Sequence, residues 1–186
     1  WSSDVCSSDL YFFFMKFKTT PYHHDLLKDH NRLAVFFQAI NEYDSGTDLA
    51  YDLGCGSGVL SYFLSLKFSE IISLEIEQKT YNCAKENLED FENIQVVNSN
   101  VLDYDFTKKA DLIVCEMLDT ALIDEEEIPV LNHAKKFLKK DGRIIPQGII
   151  NTVQLVNLER EYIHWDECAN YEELSDEIVY SQFNFS

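Results

Sequence analysis

The stretch YDLGCGSGVLS, residues 51–61, decides the fold of this 186-residue chain. An apolar run ends there, three glycines follow at every second position, and a helical pattern begins directly after them. Glycine lets the backbone adopt positive φ angles and approach a ligand closely, and a helix start offers free N–H groups. A dinucleotide-binding loop would have its third glycine later, where this chain has Val59. We therefore predict a nucleoside-binding loop, with a plain turn as the alternative. The residues expected at the cofactor are Asp52, Gly54, Cys55, Gly56 and Gly58.

Strand-like and helical patterns alternate on both sides of this loop. Apolar runs typical of strands lie at 49–54, 71–76, 94–99, 110–116 and 142–147, and helical patterns lie at 57–68, 78–91 and 130–140. The last helix is predicted to end at Asp141-Gly142, because glycine is common just after a helix. Alternation at this spacing predicts an α/β fold with a doubly wound, Rossmann-like parallel sheet.

Different patterns flank the predicted sheet. Residues 22–42 have the apolar period of one amphipathic helix, and residues 149–160 alternate like an antiparallel strand. We predict an N-terminal helical segment at 11–46, a cofactor-binding domain at 47–147, and the start of a truncated, β-barrel-like element at 148–186. Residues 1–10, WSSDVCSSDL, resemble a translated sequencing adapter, so we expect an artefactual tail from an assembled, metagenomic read.

The second strand supplies the expected ribose ligand. It ends in SLEIE, and Glu75 lies 21 residues after Gly54. A carboxylate at this strand tip can bind both ribose hydroxyls. Glu77 is a neighbour that could be mistaken for it. After the third strand, Asn100 and Val101 fall where the adenine edge is read in such folds.

Composition narrows the class of partner. The net charge is −18, or −16 without Asp4 and Asp9 of the tail. Nucleic-acid binders usually present a basic face, so we expect no nucleic-acid partner and favour a cationic one; a solubility surface or a salt-adapted organism explains the charge equally well. The cysteines outside the tail form no C-x-x-C pair, which predicts reduced thiols in a cytoplasmic protein. We expect no membrane span and no metal site.

Four blocks resemble one family, the protein arginine methyltransferases, which are class I S-adenosylmethionine-dependent enzymes. They are HHDLLKDHNRLAVFFQAI (23–40), the loop at 51–61 with SLEIE, CEMLDTALIDEEEIPVLNHAKKFLKKDGRIIPQ (115–147), and, more weakly, REYIHWDECANY (160–171). The resemblance implies S-adenosyl-L-methionine as cofactor, a cationic protein or peptide as substrate, and a homodimer for a full-length chain. It also implies that Glu116 and Glu125, nine residues apart, are the catalytic carboxylates and that Arg32 holds the cofactor's carboxylate.

The paired carboxylates suit a guanidinium group, which is planar, charged at neutral pH and rich in donors. Two carboxylates can hold it by bidentate, charge-assisted bonds and aim one nitrogen at the methyl group. Simpler interpretations stay open. Glu116 could merely end a strand, Arg32 could pair with Asp29, and Glu126 and Glu127 could complement a helix N-terminus.

Two other functions stay open as well. The chain could methylate RNA or a ribosomal component, or it could be a non-catalytic fragment that binds the cofactor. Against an amino-group methylase of adenine or glutamine, the strand tip reads Glu-Met-Leu rather than Asn/Asp-Pro-Pro-aromatic. The residues after Glu116, which are Met117, Leu118 and Asp119, also depart from the arginine methyltransferase pattern and weaken the assignment of arginine.

Overall fold

The computed structural model describes residues 17–118, 126–158 and 171–185. The predicted artefactual tail, Glu125 and most of the block at 160–171 lie outside the described residues. The chain divides into two compact units, one that ends at Ile145 and one that begins at Pro146. The predicted domain boundaries stay predictions.

A five-stranded parallel sheet organises the first unit. Its strands are β1 (Thr47–Leu53), β2 (Phe68–Glu75), β3 (Ile94–Asn98), β4 (Ala110–Cys115) and β5 (Leu138–Ile145), in the order β3-β2-β1-β4-β5. The chain builds outward from β1 through β2 to β3 and then returns to add β4 and β5 on the other side. The strand order therefore reverses between β1 and β4, which is where open α/β sheets bind ligands. The predicted Rossmann-like parallel sheet is confirmed.

Five α-helices accompany the sheet in the described residues. They are α1 (Pro21–Lys28), α2 (His30–Asn41), α3 (Val59–Ser65), α4 (Gln78–Asn87) and α5 (Glu127–Ala134), and a short 3-10 turn (Lys135–Phe137) follows α5. Among these, none has the length and apolar character needed to cross a membrane.

The core lies between the sheet and the helices α2 and α3. Phe63 and Leu64 of α3 are fully buried, as are Ile71 of β2 and Leu112 of β4. Strands of a parallel sheet are covered on both faces, so they read as continuous apolar runs rather than alternating ones. The burial of every residue from Leu49 to Leu53 in β1 follows this rule.

The N-terminal helical region differs from the prediction. The single helix expected over 22–42 is two helices, because the backbone leaves the helical region at Asp29 (φ −75°, ψ 81°). The Asp29 carboxylate accepts a hydrogen bond of 3.0 Å from the backbone N–H of Arg32 and so caps α2. Phe36 and Ile40 of α2 are buried, whereas α1 contains no buried residue.

The end of α5 also differs from the prediction. The helix expected over 130–140 ends at Ala134, and Gly142 lies inside β5 rather than after a helix. The pairing of β5 with β4 shifts between Ala110 and Leu112, which marks a bulge. A Cβ atom at Gly142 would lie 2.8 Å from the Leu138 side chain and 3.0 Å from a backbone oxygen, so the glycine permits close packing in this irregular strand.

The second unit contains two small antiparallel pairs. Strand β6 (Gly148–Val153) pairs with β9 (Ile178–Asn184), and β7 (Val156–Leu158) pairs with β8 (Tyr171–Glu173). The change from parallel to antiparallel pairing after Pro146 agrees with the sequence pattern.

Candidate active site

A cleft of about 260 Å³ opens at the carboxyl ends of β1, β2 and β4. The loop after β1 forms its floor, and the residues after β2 and β4 form two walls. Helices α1 and α2 supply the remaining wall. The lining residues are Tyr22, His23, Leu26, Leu27, Arg32, Gly54, Cys55, Gly56, Ser57, Val59, Leu60, Glu75, Ile76, Glu116, Met117 and Leu118.

The glycine loop is held tightly against the neighbouring strand. The backbone N–H groups of Gly54 and Cys55 both donate to the Leu74 carbonyl oxygen at 2.9 Å. Gly54 (φ 74°) and Gly56 (φ 57°) adopt left-handed conformations that disfavour side chains. A Cβ atom at Gly54 would lie 3.0 Å from Met117, and one at Gly56 would lie 2.9 Å from the His23 ring. The loop therefore needs glycine both for its backbone and for the side chains packed on it.

Glu75 and Glu77 have separate roles. Glu75 lines the cleft and is buried, and its carboxylate accepts hydrogen bonds from the N–H groups of Gly56 (2.9 Å) and Glu77 (2.8 Å). Burial raises the pKa of Glu75, although these N–H groups oppose the rise. Glu77 instead caps α4 by accepting from Thr80 N–H at 2.7 Å, a bond that lowers the pKa of Glu77. The cleft-facing acid is thus the one predicted.

Asp52 lies at the end of β1 and is 1% exposed. Its carboxylate accepts a 2.5 Å hydrogen bond from the Ser61 hydroxyl, which also contacts the Ser73 hydroxyl at 2.8 Å. Burial raises the pKa of Asp52 to about 7, and the negative charges of Glu75 and Glu116 add to the rise. Asp52 is not among the described residues that line the cleft, so its visible role is to join β1 to α3.

Glu116 and Arg32 form an ion pair in the wall of the cleft. The Arg32 guanidinium donates through Nη2 to a carboxylate oxygen of Glu116, and its Nη1 lies 3.4 Å from the Leu26 carbonyl oxygen. The two side chains are 21% and 15% exposed, respectively. Asp29 was the alternative partner of the Arg32 side chain, but its carboxylate accepts a hydrogen bond from the backbone N–H of Arg32. The structure therefore brings together two predicted site residues that are 84 positions apart in the sequence.

The predicted site residues divide into those that line the cleft and those that do not. Arg32, Gly54, Cys55, Gly56, Glu75 and Glu116 line the cleft. Asp52, Gly58, Asn100 and Val101 are not among its described lining residues. Gly58 is the N-cap of α3, and the side-chain oxygen of Asn100 accepts from Leu102 N–H at 2.8 Å. Glu125 lies outside the described residues.

Known proteins are similar to this chain in sequence and in fold. Residues 29–173 match the family model described as ribosomal protein L11 methyltransferase (PrmA). The chain belongs to the ribosomal protein L11 methyltransferase family. It is an S-adenosylmethionine-dependent methyltransferase, as predicted, and S-adenosylmethionine is its cofactor.

Two relatives show how much of this chain is similar in sequence to other proteins. An uncharacterized protein of Methanothermobacter thermautotrophicus is 47% identical over 171 residues, which are 92% of this chain and 68% of that protein. The ribosomal protein L11 methyltransferase of Clostridium perfringens is 31% identical over 126 residues, which are 66% of this chain and 38% of the enzyme.

The likeness to arginine methyltransferases is one of fold. The Trypanosoma brucei PRMT1 enzyme–prozyme complex with AdoHcy superposes with a TM-score of 0.67 at 22% identity, over 75% of this chain and 46% of that one. This likeness shows the fold alone. The methyltransferase class predicted from the sequence blocks is confirmed by the family match, and the acceptor is a separate question.

The residues of the cleft fit the cofactor of this family. Glu75 presents a carboxylate beside the glycine loop, where ribose hydroxyls can donate to it. The left-handed glycines leave no Cβ atom between the loop backbone and the cleft. Arg32 contributes a guanidinium that can bind a carboxylate group. Within the described residues no group of three or more His, Cys, Asp or Glu side chains could hold a metal ion.

The sequence patterns missed two contributions to the site. Helix α1 places Tyr22, His23, Leu26 and Leu27 on the cleft, and its amphipathic pattern did not show which surface it would cover. Glu127 was interpreted as a helix-terminal acid, but it is fully buried and accepts a 2.8 Å hydrogen bond from the backbone N–H of Met117. As the last acid of the run DEEE (124–127) at the start of a helix, Glu127 gave no signal in the sequence for that contact.

Proposed function

We propose that this enzyme methylates a guanidinium nitrogen of arginine in a protein substrate. The observation that carries the proposal is the pairing of Glu116 with the guanidinium of Arg32 at the wall of the cleft. A carboxylate at the end of β4, within the cofactor's cleft, can therefore bind a group of the same chemistry as the proposed acceptor.

The roles of the residues follow from the chemistry of the acceptor. When bound, S-adenosylmethionine supplies an electrophilic methyl group on a sulfonium sulfur. Glu116 would hold the guanidinium and aim one nitrogen at that methyl group. It would accept the proton that this nitrogen loses as the new N–C bond forms and the electrons of the S–C bond stay on sulfur. Glu125 is proposed as the second carboxylate from its sequence spacing, and Arg32 as the group that binds the cofactor's carboxylate.

The charge of the chain supports a cationic acceptor. A net charge of −18 raises the local concentration of cationic peptides and speeds their encounter with the enzyme. The free thiols of Cys55, Cys83 and Cys115 support our proposal of a cytoplasmic location. A homodimer belongs to the proposal only for a longer chain.

Methylation of ribosomal protein L11 is a second candidate. It is favoured by the family match over residues 29–173 and by the name of the clostridial relative. The two candidates differ in the acceptor and share the cofactor, the cleft and the role of Glu75.

A labelled-methyl transfer assay with several acceptors tests the proposal. The acceptors are an arginine-rich peptide, a lysine-rich peptide, ribosomal protein L11 and ribosomal RNA. Label on the arginine peptide supports the first candidate, and label on ribosomal protein L11 alone supports the second. Label on RNA alone refutes both, and no label on any acceptor favours a non-catalytic fragment.

Glu116→Gln tests the role of the carboxylate. We expect transfer to fall by at least about 100-fold, because fixed charge and positioning both depend on it. Affinity for S-adenosylmethionine, measured by calorimetry, should change by less than about 3-fold. Glu70→Gln is the matched control, since Glu70 pairs with Lys108 near the start of β2, at the other end of the sheet. A large loss of cofactor affinity in Glu116→Gln would instead assign Glu116 to cofactor binding, either directly or through its ion pair with Arg32.

A further inference from the structure

Glu127 lies behind the wall of the cleft rather than in it. The residue is 0% exposed, which is rare for a carboxylate, and it is the first residue of α5. The described lining of the cleft includes Glu116, Met117 and Leu118 but not Glu127. Its carboxylate is therefore separated from any ligand in the cleft, and its contacts are with the protein.

The decisive contact of Glu127 lies directly after Glu116. One carboxylate oxygen of Glu127 accepts a 2.8 Å hydrogen bond from the backbone N–H of Met117, the residue after Glu116. On the other side of Glu116, burial raises the pKa of the Cys115 thiol, and the charge of Glu127 adds to the rise.

Strand β4 ends two residues before Met117, whose N–H binds Glu127. Cys115 is the last residue of β4 and pairs with Leu53 of β1. The sheet therefore fixes the backbone as far as Cys115, and the Met117 N–H, which follows the strand, receives an acceptor from α5. Since a partly buried N–H loses stability without an acceptor, this hydrogen bond favours one position of the backbone directly after Glu116.

We infer that Glu127 is a positioning residue that holds Glu116 in place through its hydrogen bond with the Met117 N–H. The inference rests on the proposed function, in which Glu116 binds the acceptor.

Two variants separate the hydrogen bond from the volume of the side chain. Glu127→Met keeps a similar length and removes the acceptor, whereas Glu127→Gln keeps an oxygen that can accept from Met117. We expect kcat of methyl transfer to fall about 100-fold in Glu127→Met, as small misplacements of reacting groups do. Glu127→Gln should retain kcat within about 5-fold, and both should bind S-adenosylmethionine within about 3-fold of wild type.

The neighbouring acid provides a matched control. Glu126 is exposed, occupies the N-cap of α5 and makes no side-chain cap hydrogen bond. Glu126→Gln removes the same charge from the same helix terminus, and we expect its kcat to equal that of wild type. If Glu126→Gln lowers kcat as much as Glu127→Met does, the effect is one of helix charge and the inference is wrong.

Hydrogen exchange at the Met117 amide gives a reading that does not depend on the acceptor. Protection should be present in wild type and Glu127→Gln and should fall at least about 10-fold in Glu127→Met, while amides of β1 stay protected. This reading applies even if wild type labels none of the acceptors, in which case only the proposed function fails. Unchanged protection in a folded Glu127→Met protein, or a Glu127→Gln variant as impaired as Glu127→Met, would overturn the positioning role.

Discussion

Asp52→Asn should remove a pH dependence of folding stability that we expect in the wild-type protein. Asp52 is buried at the end of β1, and its pKa is about 7 in the folded state against a usual value of 3.8. The main cause is burial, which penalises the charged form, and the hydrogen bond from Ser61 reduces the penalty only in part.

The sign and size of the effect follow from proton linkage. Between about pH 4 and pH 7 the folded state binds the Asp52 proton more tightly than the unfolded state does. The free energy of unfolding of the wild type therefore decreases as pH rises through this range. About 3 pKa units at 1.36 kcal/mol each correspond to about 4 kcal/mol. Asparagine does not titrate. The free energy of unfolding of Asp52→Asn should therefore rise by about 4 kcal/mol relative to that of the wild type between pH 4 and pH 7.

Urea unfolding of both proteins at pH steps from 4 to 8 measures this difference directly. The Ser61 hydroxyl can still donate to the asparagine oxygen, so the comparison changes mainly the charge. Carbon-13 NMR of the Asp52 carboxyl group should give a midpoint near pH 7. A difference between the two proteins that stays constant within about 1 kcal/mol from pH 4 to pH 8 would refute the reasoning.

Two further predictions concern the elements that carry the site. In chemical unfolding, Gly58→Ala should destabilise the protein by about 1–3 kcal/mol more than Gly46→Ala does. Both glycines have φ near 90°, so the backbone strain of an alanine is similar at the two positions. Of the two, only Gly58 would place the new Cβ against another side chain, 2.6 Å from that of Leu88. Equal losses would show that Leu88 adjusts freely. Glu77→Gln should lower the melting temperature above about pH 5, because the charged carboxylate caps α4 at Thr80, and the difference should vanish at low pH as that carboxylate is protonated. A pH-independent difference would exclude a charge-dependent cap.

The parallel sheet could be predicted because apolar runs alternate with helical patterns at a regular spacing along the chain. The position of Glu75 in the cleft could be predicted because this residue ends the strand next to the glycine loop, and its role as the ribose ligand stays a prediction. Glu77, two residues later, begins a helix and uses its carboxylate there. Strand position thus separates two chemically identical residues.

Other features depend on contacts between distant residues and leave no local pattern. The break at Asp29 requires a side chain to cap α2, although the apolar period continues through it. An Asp-Gly pair such as Asp141-Gly142 commonly follows the end of a helix, but pairing with β4 makes Gly142 part of β5. The Glu127–Met117 bond joins a helix start to a strand end, and composition describes Glu127 equally well as an exposed cap.

Our proposal of a cationic acceptor rests on the carboxylates around the cleft, and our proposal of arginine rests on their geometry. Glu75 and Glu116 repel the charged form of Asp52, so a positive group between the strand tips would relieve a repulsion that the fold already contains. That argument applies equally to an ammonium and a guanidinium group. A guanidinium differs because it is a planar fork that matches a carboxylate, and Glu116 already binds one in Arg32. In the function that we propose, charge therefore favours a cationic acceptor, and the pairing of Glu116 with Arg32 favours arginine over lysine.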